Sequence, residues 1–337
     1  MRIFKVFYPL REFFFLTALY KWRLRRYGFR EIASSISDLW PGEAEVGRDI
    51  IDGNLVGVLT PSLKEIWKIV PDDPLSMESL HGFSWLRHLR AQGGDSARIT
   101  ARTMVGSWLD NYENWHPLYW RGDVLGERIS AWVGMHDFFC KSADDEFRNR
   151  VLTSINRQLE HAITEFRYVK QGVKRIRALK GIITAIVALD SDASRLKTLE
   201  GWVLQELVVQ VALDGGHISR SPAIQIEFIM ALIDIRNCLR VCRRVVPEEL
   251  IQTIFKMTSM LRLWRHGDGK LALFHGTKEG GASLLDSVIA LSESGRKAVT
   301  EAPNTGFQRL VSGRTTLIVD TGGSNGSSET SHSSPLS

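Results

Sequence analysis

Successive helix-length segments fill the chain between about residues 76 and 297, and this pattern constrains the fold most strongly. Short loops join the segments, which forces neighbouring helices to run antiparallel. Some segments, such as residues 181–189 and 224–235, are apolar around most of their circumference, and such helices are buried on both sides. The sequence therefore predicts a mainly α fold, in which outer helices wrap inner ones. We find no fixed-length repeat signature.

The pattern changes beyond Pro303. Two strand-like runs flank a Ser312-Gly313 turn in "TGFQRLVSGRTTLIVDTGG", which predicts a β-hairpin. The Ser/Gly-rich end, "GGSNGSSETSHSSPLS", is typical of disorder. A lone hairpin is not stable by itself, so we expect a β domain that begins here and does not continue. The predicted domains are an N-terminal helical, basic segment (1–40), a helical domain (41–300), the start of a β domain (303–321) and a disordered tail (322–337).

The net charge of +5 suits an acidic partner: an anionic polysaccharide, a nucleic acid or a membrane surface. No helix-turn-helix, zinc-finger or single-strand-binding signature is present, so we do not predict nucleic-acid binding. The three cysteines form no disulfide framework. Cys238 and Cys242 lie one helical turn apart, but no nearby His/Cys set completes a metal site. We predict neither a metal nor a cofactor.

The N-terminus, "MRIFKVFYPLREFFFLTALYKWRLRR", contains a short apolar patch at residues 13–20. Arg11 and Glu12 interrupt it upstream and no small-residue cleavage site follows, so it is a poor signal peptide. No apolar run reaches the roughly 18 residues that a membrane span needs. The segment either docks on the core as a first helix or makes a weak contact with a membrane surface.

Two stretches favour the binding of an acidic sugar. Trp115, Trp120 and Arg121 crowd a helix boundary, where aromatic rings beside a guanidinium suit sugars and their carboxylates. The alternative is an aromatic hinge with Arg121 solvated. Arg177 and Lys180 share one face of an apolar helix at i,i+3 spacing. They form either an anion-binding rim or a solvated helix face.

The segment "DGGHISRSP" separates two helices. Gly215 and Gly216 end the first helix, Ser221 caps the second and Pro222 fits its first position. His217 and Arg220 are not explained by these roles, and loops at helix ends commonly bind ligands. His217 is the candidate catalytic residue and Arg220 a candidate substrate-binding residue. A later Gly-rich turn carries His266, Asp268 and His275 without the spacing of a zinc motif.

Several stretches together resemble the heparinase II/III-like family. They are "DDPLSMESLHGFSWLRHLRAQGG", "WRGDVLGERISAW", "DGGHISRSP", "RHGDGKLALFHG" and "GFQRLVSGRTTLIVD", and they occur in the family's order between roughly Trp40 and Asp320. The resemblance implies an incomplete (α/α) toroid of antiparallel helix pairs. It also implies a following β-sandwich, of which this chain holds only the first hairpin. The implied activity is β-eliminative cleavage of an acidic, glycosaminoglycan-like polysaccharide.

The family's lyases carry their proton transfers on an Asn-His pair, a Tyr after the Ser-Pro loop and a His of the β-sandwich. By hand alignment, Lys180 and Gly181 occupy the Asn-His position, Ile224 the Tyr position, and Ser219 a position where an acid is frequent. The sandwich His has no counterpart before the sequence ends. Arg177, Lys180, His217 and Arg220 remain available to bind an acidic sugar.

Two classes of function therefore stay open. One is a polysaccharide lyase with substitute residues, weak or inactive in this short form, in which His217 acts as base and Arg220 neutralises the substrate carboxylate. The other is a non-catalytic glycan-binding or fragmentary toroid. For either class we expect His217 and Arg220 to face one groove together with Arg177 and Trp120. The resemblance implies a cell-envelope or periplasmic location, and the lack of a legible signal peptide favours the cytoplasm.

Overall fold

A computed structural model describes residues 11–26, 31–55, 58–59, 62, 65–68, 74–189, 193–278, 282–295 and 298–322. The chain forms two compact units: Met1–Lys170 with Arg177–Leu196, and Gln171–Ile176 with Lys197–Ser337. Nearly all of the predicted disordered tail lies outside the described residues. The four domains predicted from the sequence stay a prediction.

The first unit is helical. Residues 11–16 are helical and are followed by α1 (Ala18–Arg25), α2 (Ala44–Ile51), a short hairpin of β1 (Asn54–Leu55) and β2 (Val58–Leu59), α3 (Pro74–Gly82), α4 (Leu86–Gln92), α5 (Gly94–Tyr112), α6 (Gly122–Gly134), α7 (His136–Phe139), α8 (Asp145–Glu165) and most of α9 (Val173–Leu189). The longest of these, α8, begins where the Asp144 side chain accepts a hydrogen bond from the Phe147 amide at 2.7 Å. Asp145 and Glu146 follow in its first turn, where their charge suits the helix dipole.

The segment "SMESLHGFSWLRHLRAQGG" has apolar residues at helical spacing throughout, but it forms two helices. Phe83 lies between α3 and α4 with a left-handed φ of 61°, which ends the first helix. The apolar spacing nevertheless predicts burial correctly, since Leu80, Phe83, Leu86 and Leu89 are all buried. Apolar spacing alone would predict one continuous helix, because it does not record a single left-handed residue.

Tryptophan rings form much of the core of the first unit. Trp108 and Trp132 meet edge to face at 5.4 Å between centroids, and Phe83 meets Trp132 in the same way at 5.3 Å. Edge-to-face contacts of this kind stabilise aromatic cores beyond simple burial. Trp108 and Trp132 therefore contribute to core packing.

The N-terminal segment packs on α8 and its neighbours within the first unit. The Tyr20 hydroxyl lies 2.6 Å from His161 Nδ1, and Arg11 pairs with Glu165 at 3.3 Å. The Phe15 ring contacts the rings of His161 and Trp115. These contacts confirm a first helix docked on the core. Within the described residues, no helix is long and apolar enough to cross a membrane.

The second unit contains α10 (Ala193–Gln210, less its first four residues), α11 (Pro222–Val241), α12 (Glu248–Leu263) and α13 (Ala282–Leu291). Pro222 occupies the first turn of α11, as predicted, and Ser221 is its N-cap residue. The Ser221 side chain makes no capping hydrogen bond. Instead, the Thr277 hydroxyl accepts from the Ala223 amide at 3.1 Å. A residue distant in sequence thus takes the capping role that local spacing assigned to Ser221.

A three-stranded antiparallel sheet ends the described chain, in the order β3 (Glu301–Ala302), β4 (Phe307–Ser312), β5 (Thr315–Asp320). The predicted hairpin is β4 with β5, and Ser312 pairs with Thr315 at its turn. The two-residue strand β3 is too short to give an alternating pattern, so the sequence did not reveal it.

Candidate functional site

The loop between α10 and α11 holds His217 inside a chain of hydrogen bonds. His217 Nε2 lies 3.1 Å from Gln210 Oε1, and the Gln210 amide donates to Glu206. Because the amide nitrogen of Gln210 donates to Glu206, its oxygen accepts from His217, which places the imidazole proton on Nε2. Nδ1 then accepts from the Ser219 amide at 3.0 Å. Burial lowers the pKa of His217 to about 4, so the ring is neutral near pH 7.

Arg220 lies three residues further on, with a left-handed φ of 61°. Its side chain is buried, donates to the Thr305 carbonyl at 2.8 Å and pairs with Asp320 at the end of β5. His275 Nε2 lies 2.8 Å from the other oxygen of Asp320. Within the second unit, Asp320 therefore already supplies the carboxylate that Arg220 was predicted to find on a substrate.

The cations predicted in the first unit also have internal partners. Lys180 donates to both oxygens of Glu127 at 2.9 Å. Arg177 lies 3.7 Å from both Glu78 and Glu127. Arg121 pairs with two carboxylates, those of Asp123 and Glu78.

We call these six side chains the ionic network: Arg121, Arg177, Lys180, Glu78, Asp123 and Glu127. It joins three cations to three carboxylates and so carries no net charge. Burial alone would raise the pKa of Glu127, but Lys180 and Arg177 outweigh it and the pKa is lowered. Glu127 is therefore ionised near neutral pH and holds Lys180 as its counterion.

The two candidate sugar-stacking rings lie inside the first unit. Trp120 is 1% exposed, and its indole N–H donates to the Tyr112 carbonyl at 3.0 Å. Trp115 is 9% exposed, and its ring lies 5.5 Å from that of Phe15. Sugar stacking needs an exposed ring face, whereas these rings contribute to the core.

Gly181, at the position that aligns with the lyase histidine, lies against Gly126 of α6. A Cβ atom built on Gly181 would lie 2.4 Å from the Gly126 Cα and carbonyl oxygen, and one built on Gly126 would lie 2.1 Å from the Arg177 carbonyl oxygen. Real Cβ atoms essentially never approach backbone atoms so closely. Helices α6 and α9 therefore meet at a glycine contact that leaves no space for a side chain at position 181.

The Gly-rich turn after α12 is held together by local hydrogen bonds. The Asp268 side chain accepts from the Lys270 amide at 2.9 Å, and His266 and Lys270 close the turn through their backbones. Among the described residues, no group of three His, Cys, Asp or Glu side chains could hold a metal ion.

Sequence reasoning named the cations but missed the carboxylates that neutralise them. Glu127 and Asp123 lie in the same quoted stretch as Arg121, "WRGDVLGERISAW", yet the sequence analysis assigned them no role. A search for opposite charges on the two neighbouring helices α6 and α9 would have paired Glu127 with Lys180. Arg177 and Trp120 belong to the first unit, and His217 and Arg220 to the second. The groove shared by these four residues stays a prediction, as do the substrate-binding roles of the candidate residues.

The fold class is that of the α/α toroid lyases, and the resemblance seen in the sequence is confirmed at the level of the fold. A crystal structure of heparinase III superposes with a TM-score of 0.64 at 14% identity, covering 95% of this chain and 59% of that one. The heparan sulfate lyase HepC from Pedobacter heparinus superposes with a TM-score of 0.53 at 18% identity, covering 86% and 54%. No family model matches the sequence.

Among curated proteins, the chain is similar to FtsZ-localized protein C of Caulobacter vibrioides. The two are 27% identical over 244 residues, which is 72% of this chain and 42% of the relative. The chain thus spans less than half the length of this relative, and somewhat more than half of the two lyase structures.

This relative corrects the expected location. A cell-envelope or periplasmic site followed from the lyase resemblance alone, and it is contradicted by a relative that is named for its localisation to FtsZ. The physical reason for the error is that a fold determines where the helices lie, but not where in the cell the protein acts. One toroid scaffold supports different functions.

Proposed function

We propose that this chain is a non-catalytic toroid protein that acts in the cytoplasm at the FtsZ ring. The observation that carries the proposal is the match to FtsZ-localized protein C over 72% of the chain. The relative's name gives a place of action and no chemistry. The remaining support comes from the candidate site, where the groups that lyase chemistry requires are missing or internally paired.

The first supporting observation is the contact of Gly126 with Gly181. β-Elimination requires a base and an acid placed at the sugar, and the family's lyases carry part of this machinery at the position of Gly181. No side chain fits at this position without separating α6 from α9. A lyase of the usual kind would need a different backbone here.

The second supporting observation is the state of the remaining polar groups. Uronate cleavage needs cations that are free to neutralise the substrate carboxylate. In this chain Lys180 and Arg220 each pair with an internal carboxylate, and His217 is buried. Breaking such pairs to bind a sugar would leave Glu127 with only the more distant Arg177, and Asp320 with only His275. Removal of one partner from a buried pair costs about 3–5 kcal/mol.

Three assays test the proposal together. A fluorescent fusion should co-localise with FtsZ in dividing cells, and the purified chain should co-sediment with FtsZ polymers. Incubation with heparan sulfate and other uronate-containing glycans should give no rise in ultraviolet absorbance from unsaturated uronate. Sustained product formation that His217→Ala abolishes would overturn the non-catalytic assignment, and a diffuse fusion that never follows FtsZ would overturn the localisation.

Contact with a membrane surface is a second part of the proposal, and the exposed face of the N-terminal segment favours it. Phe13 is 71% exposed and Leu19 66% exposed, and Leu16 and Trp22 are also exposed, while Phe15 is buried against the first unit. The basic residues of α1 and its end add positive charge, namely Lys21, Arg23, Arg25 and Arg26. Exposed apolar and aromatic side chains beside basic ones are typical of helices that lie on anionic membranes.

Vesicle sedimentation tests this second part. The chain should pellet with phosphatidylglycerol vesicles and much less with phosphatidylcholine vesicles, and Leu19→Glu should weaken the binding at least fivefold. Val245→Glu is the matched control, because Val245 is 91% exposed and lies in the second unit. Equal binding by Leu19→Glu and wild type would contradict a role for this face.

Acidic polysaccharide is the alternative partner, since the fold matches two lyases that bear the names heparinase III and heparan sulfate lyase. Calorimetric titration with heparan sulfate distinguishes it from the main proposal. Saturable binding that Arg220→Ala or Lys180→Ala removes would favour a glycan-binding toroid.

A further inference from the structure

A cavity of about 540 Å³ lies wholly within the second unit, between the first half of α11, the turn after α12 and the start of α13. The motif "RHGDGKLALFHG" contributes part of its lining, but none of the residues predicted to bind substrate does. Its volume is in the range of pockets that bind small molecules or anchoring side chains.

The walls of the cavity are mainly aliphatic. Ile226 and Met230 contribute one face of α11, Leu271 and Leu273 come from the turn, and Leu284 and Leu285 from α13. Leu273 is 46% exposed, which is high for a leucine beside a cavity. An apolar side chain of a partner molecule would be buried in this cavity, and it would also shield Leu273 from water.

The rim of the cavity carries charges of both signs. Glu227 and Asp268 are acidic, and Lys270 and Lys278 are basic. An anionic lipid headgroup or an acidic sugar would favour a rim that is positively charged throughout. A polypeptide carries side chains of both signs and polar backbone groups, and so suits a rim of mixed charge. An apolar centre within a mixed polar rim is also the usual anatomy of a protein–protein contact.

We infer that this cavity is the docking site for a partner polypeptide that inserts an apolar side chain between α11 and α13, and that the partner is FtsZ. The inference rests on the proposed function, which supplies the partner. The cavity supplies the place and the chemistry of the contact. Because one anchor residue in a desolvated pocket often dominates an interface, a single charge in the cavity should be enough to weaken binding.

Co-sedimentation of the full chain with FtsZ polymers from its own source organism tests the inference. Leu273→Asp places a carboxylate at the apolar mouth, and Met230→Trp fills the cavity without adding charge. Val245→Asp is the matched control, since it adds the same charge at an exposed valine outside the cavity. Urea unfolding of each variant establishes that it is folded, and Met230→Trp keeps the test decisive if Leu273→Asp does not fold.

The expected result is at least a tenfold higher Kd for Leu273→Asp and Met230→Trp, with Val245→Asp unchanged. Equal binding by all four proteins would overturn the docking site and leave the proposed function standing. A wild type that does not bind FtsZ would overturn both. If the cavity variants alter self-association in sedimentation velocity while FtsZ binding is unchanged, the occupant is a second copy and the inference fails.

Discussion

Single side chains in the first unit are positioned by their countercharges more than by their exposure to solvent. Glu127 receives Lys180 at 2.9 Å through both oxygens, and Arg177 lies 3.7 Å away. An ion pair that is largely buried is weak evidence for stability, yet removing one partner leaves the other charge uncompensated. The pair therefore acts as a constraint on what may replace either residue.

Glu127→Gln should lower the free energy of unfolding by about 2–3 kcal/mol, because Lys180 loses its carboxylate in a position mostly shielded from water. The measurement is urea unfolding followed by circular dichroism. Asp95→Asn is the control: it breaks the exposed Asp95–Arg98 pair and should change stability by less than about 0.5 kcal/mol. Similar losses in both variants would contradict the special role of Glu127.

Glu165 should make the free energy of unfolding depend on pH. Burial raises the pKa of Glu165 to about 7, above its ordinary value of 4.5, and Arg11 only partly opposes this shift. The folded state therefore holds a proton that the unfolded state releases, and the contribution of Glu165 to stability is lost as the pH rises from 4.5 to 7.

Glu165→Gln removes this titration. Relative to wild type, the variant should gain about 2–3 kcal/mol of stability between pH 5 and pH 8, at about 1.4 kcal/mol for each pKa unit. Urea unfolding at the two pH values measures the difference. A wild type and variant whose stabilities stay parallel over this range would refute the assignment of the raised pKa to Glu165.

At the level of helices, the contact between α6 and α9 is set by two glycines. Gly126 and Gly181 allow backbone atoms to approach within distances that any Cβ would prevent. Gly201 of α10 offers a matched comparison, because nothing lies within 4 Å of a Cβ built there. The same substitution should therefore have opposite effects in the two helices.

Gly181→Ala should destabilise the protein by at least about 2–3 kcal/mol through overpacking, and Gly201→Ala should stabilise it by up to about 1 kcal/mol through helix propensity. Thermal unfolding of the two variants gives the comparison directly. If Gly181→Ala unfolds at or above the wild-type temperature, α6 and α9 are not in the close contact described here.

The helices themselves were predictable to different degrees. Apolar spacing predicted the long helices α9 and α11, because each keeps most of its circumference apolar over several turns. The break at Phe83, the single-turn α7 and the strand β3 were not predictable, since each depends on one or two residues fixed by tertiary contacts. Of the candidate site, the sequence identified the cations and the loop, but their partners Glu127 and Asp320 are 53 and 100 residues away in the chain.

For the whole molecule, buried histidines should lower the free energy of unfolding as the pH becomes acidic. Burial lowers the pKa of His81 to about 2, of His161 to about 3 and of His217 to about 4. Each ring is neutral in the folded state and takes up a proton on unfolding below its ordinary pKa of 6.5. Their contribution is complete above pH 6.5 and is lost as the pH falls towards these values.

His217→Gln should reduce this loss. Between pH 7 and pH 4.5 the variant should lose about 2–3 kcal/mol less stability than wild type, because one of the three titrations is gone. Taking the difference between the two proteins at each pH cancels the titrations that they share. An identical pH dependence would show that His217 is accessible to protons in the folded state.

The glycine contact between α6 and α9 also bears on the history open to this chain. A single substitution cannot place a histidine at position 181, since the substituted protein would have to fold with α6 and α9 forced apart. The helices would first have to separate, and separation would strand Lys180 from Glu127. Several changes would thus have to occur together before position 181 could hold a histidine. Single mutations elsewhere in the chain are therefore far easier to tolerate than a reversal of the glycine contact.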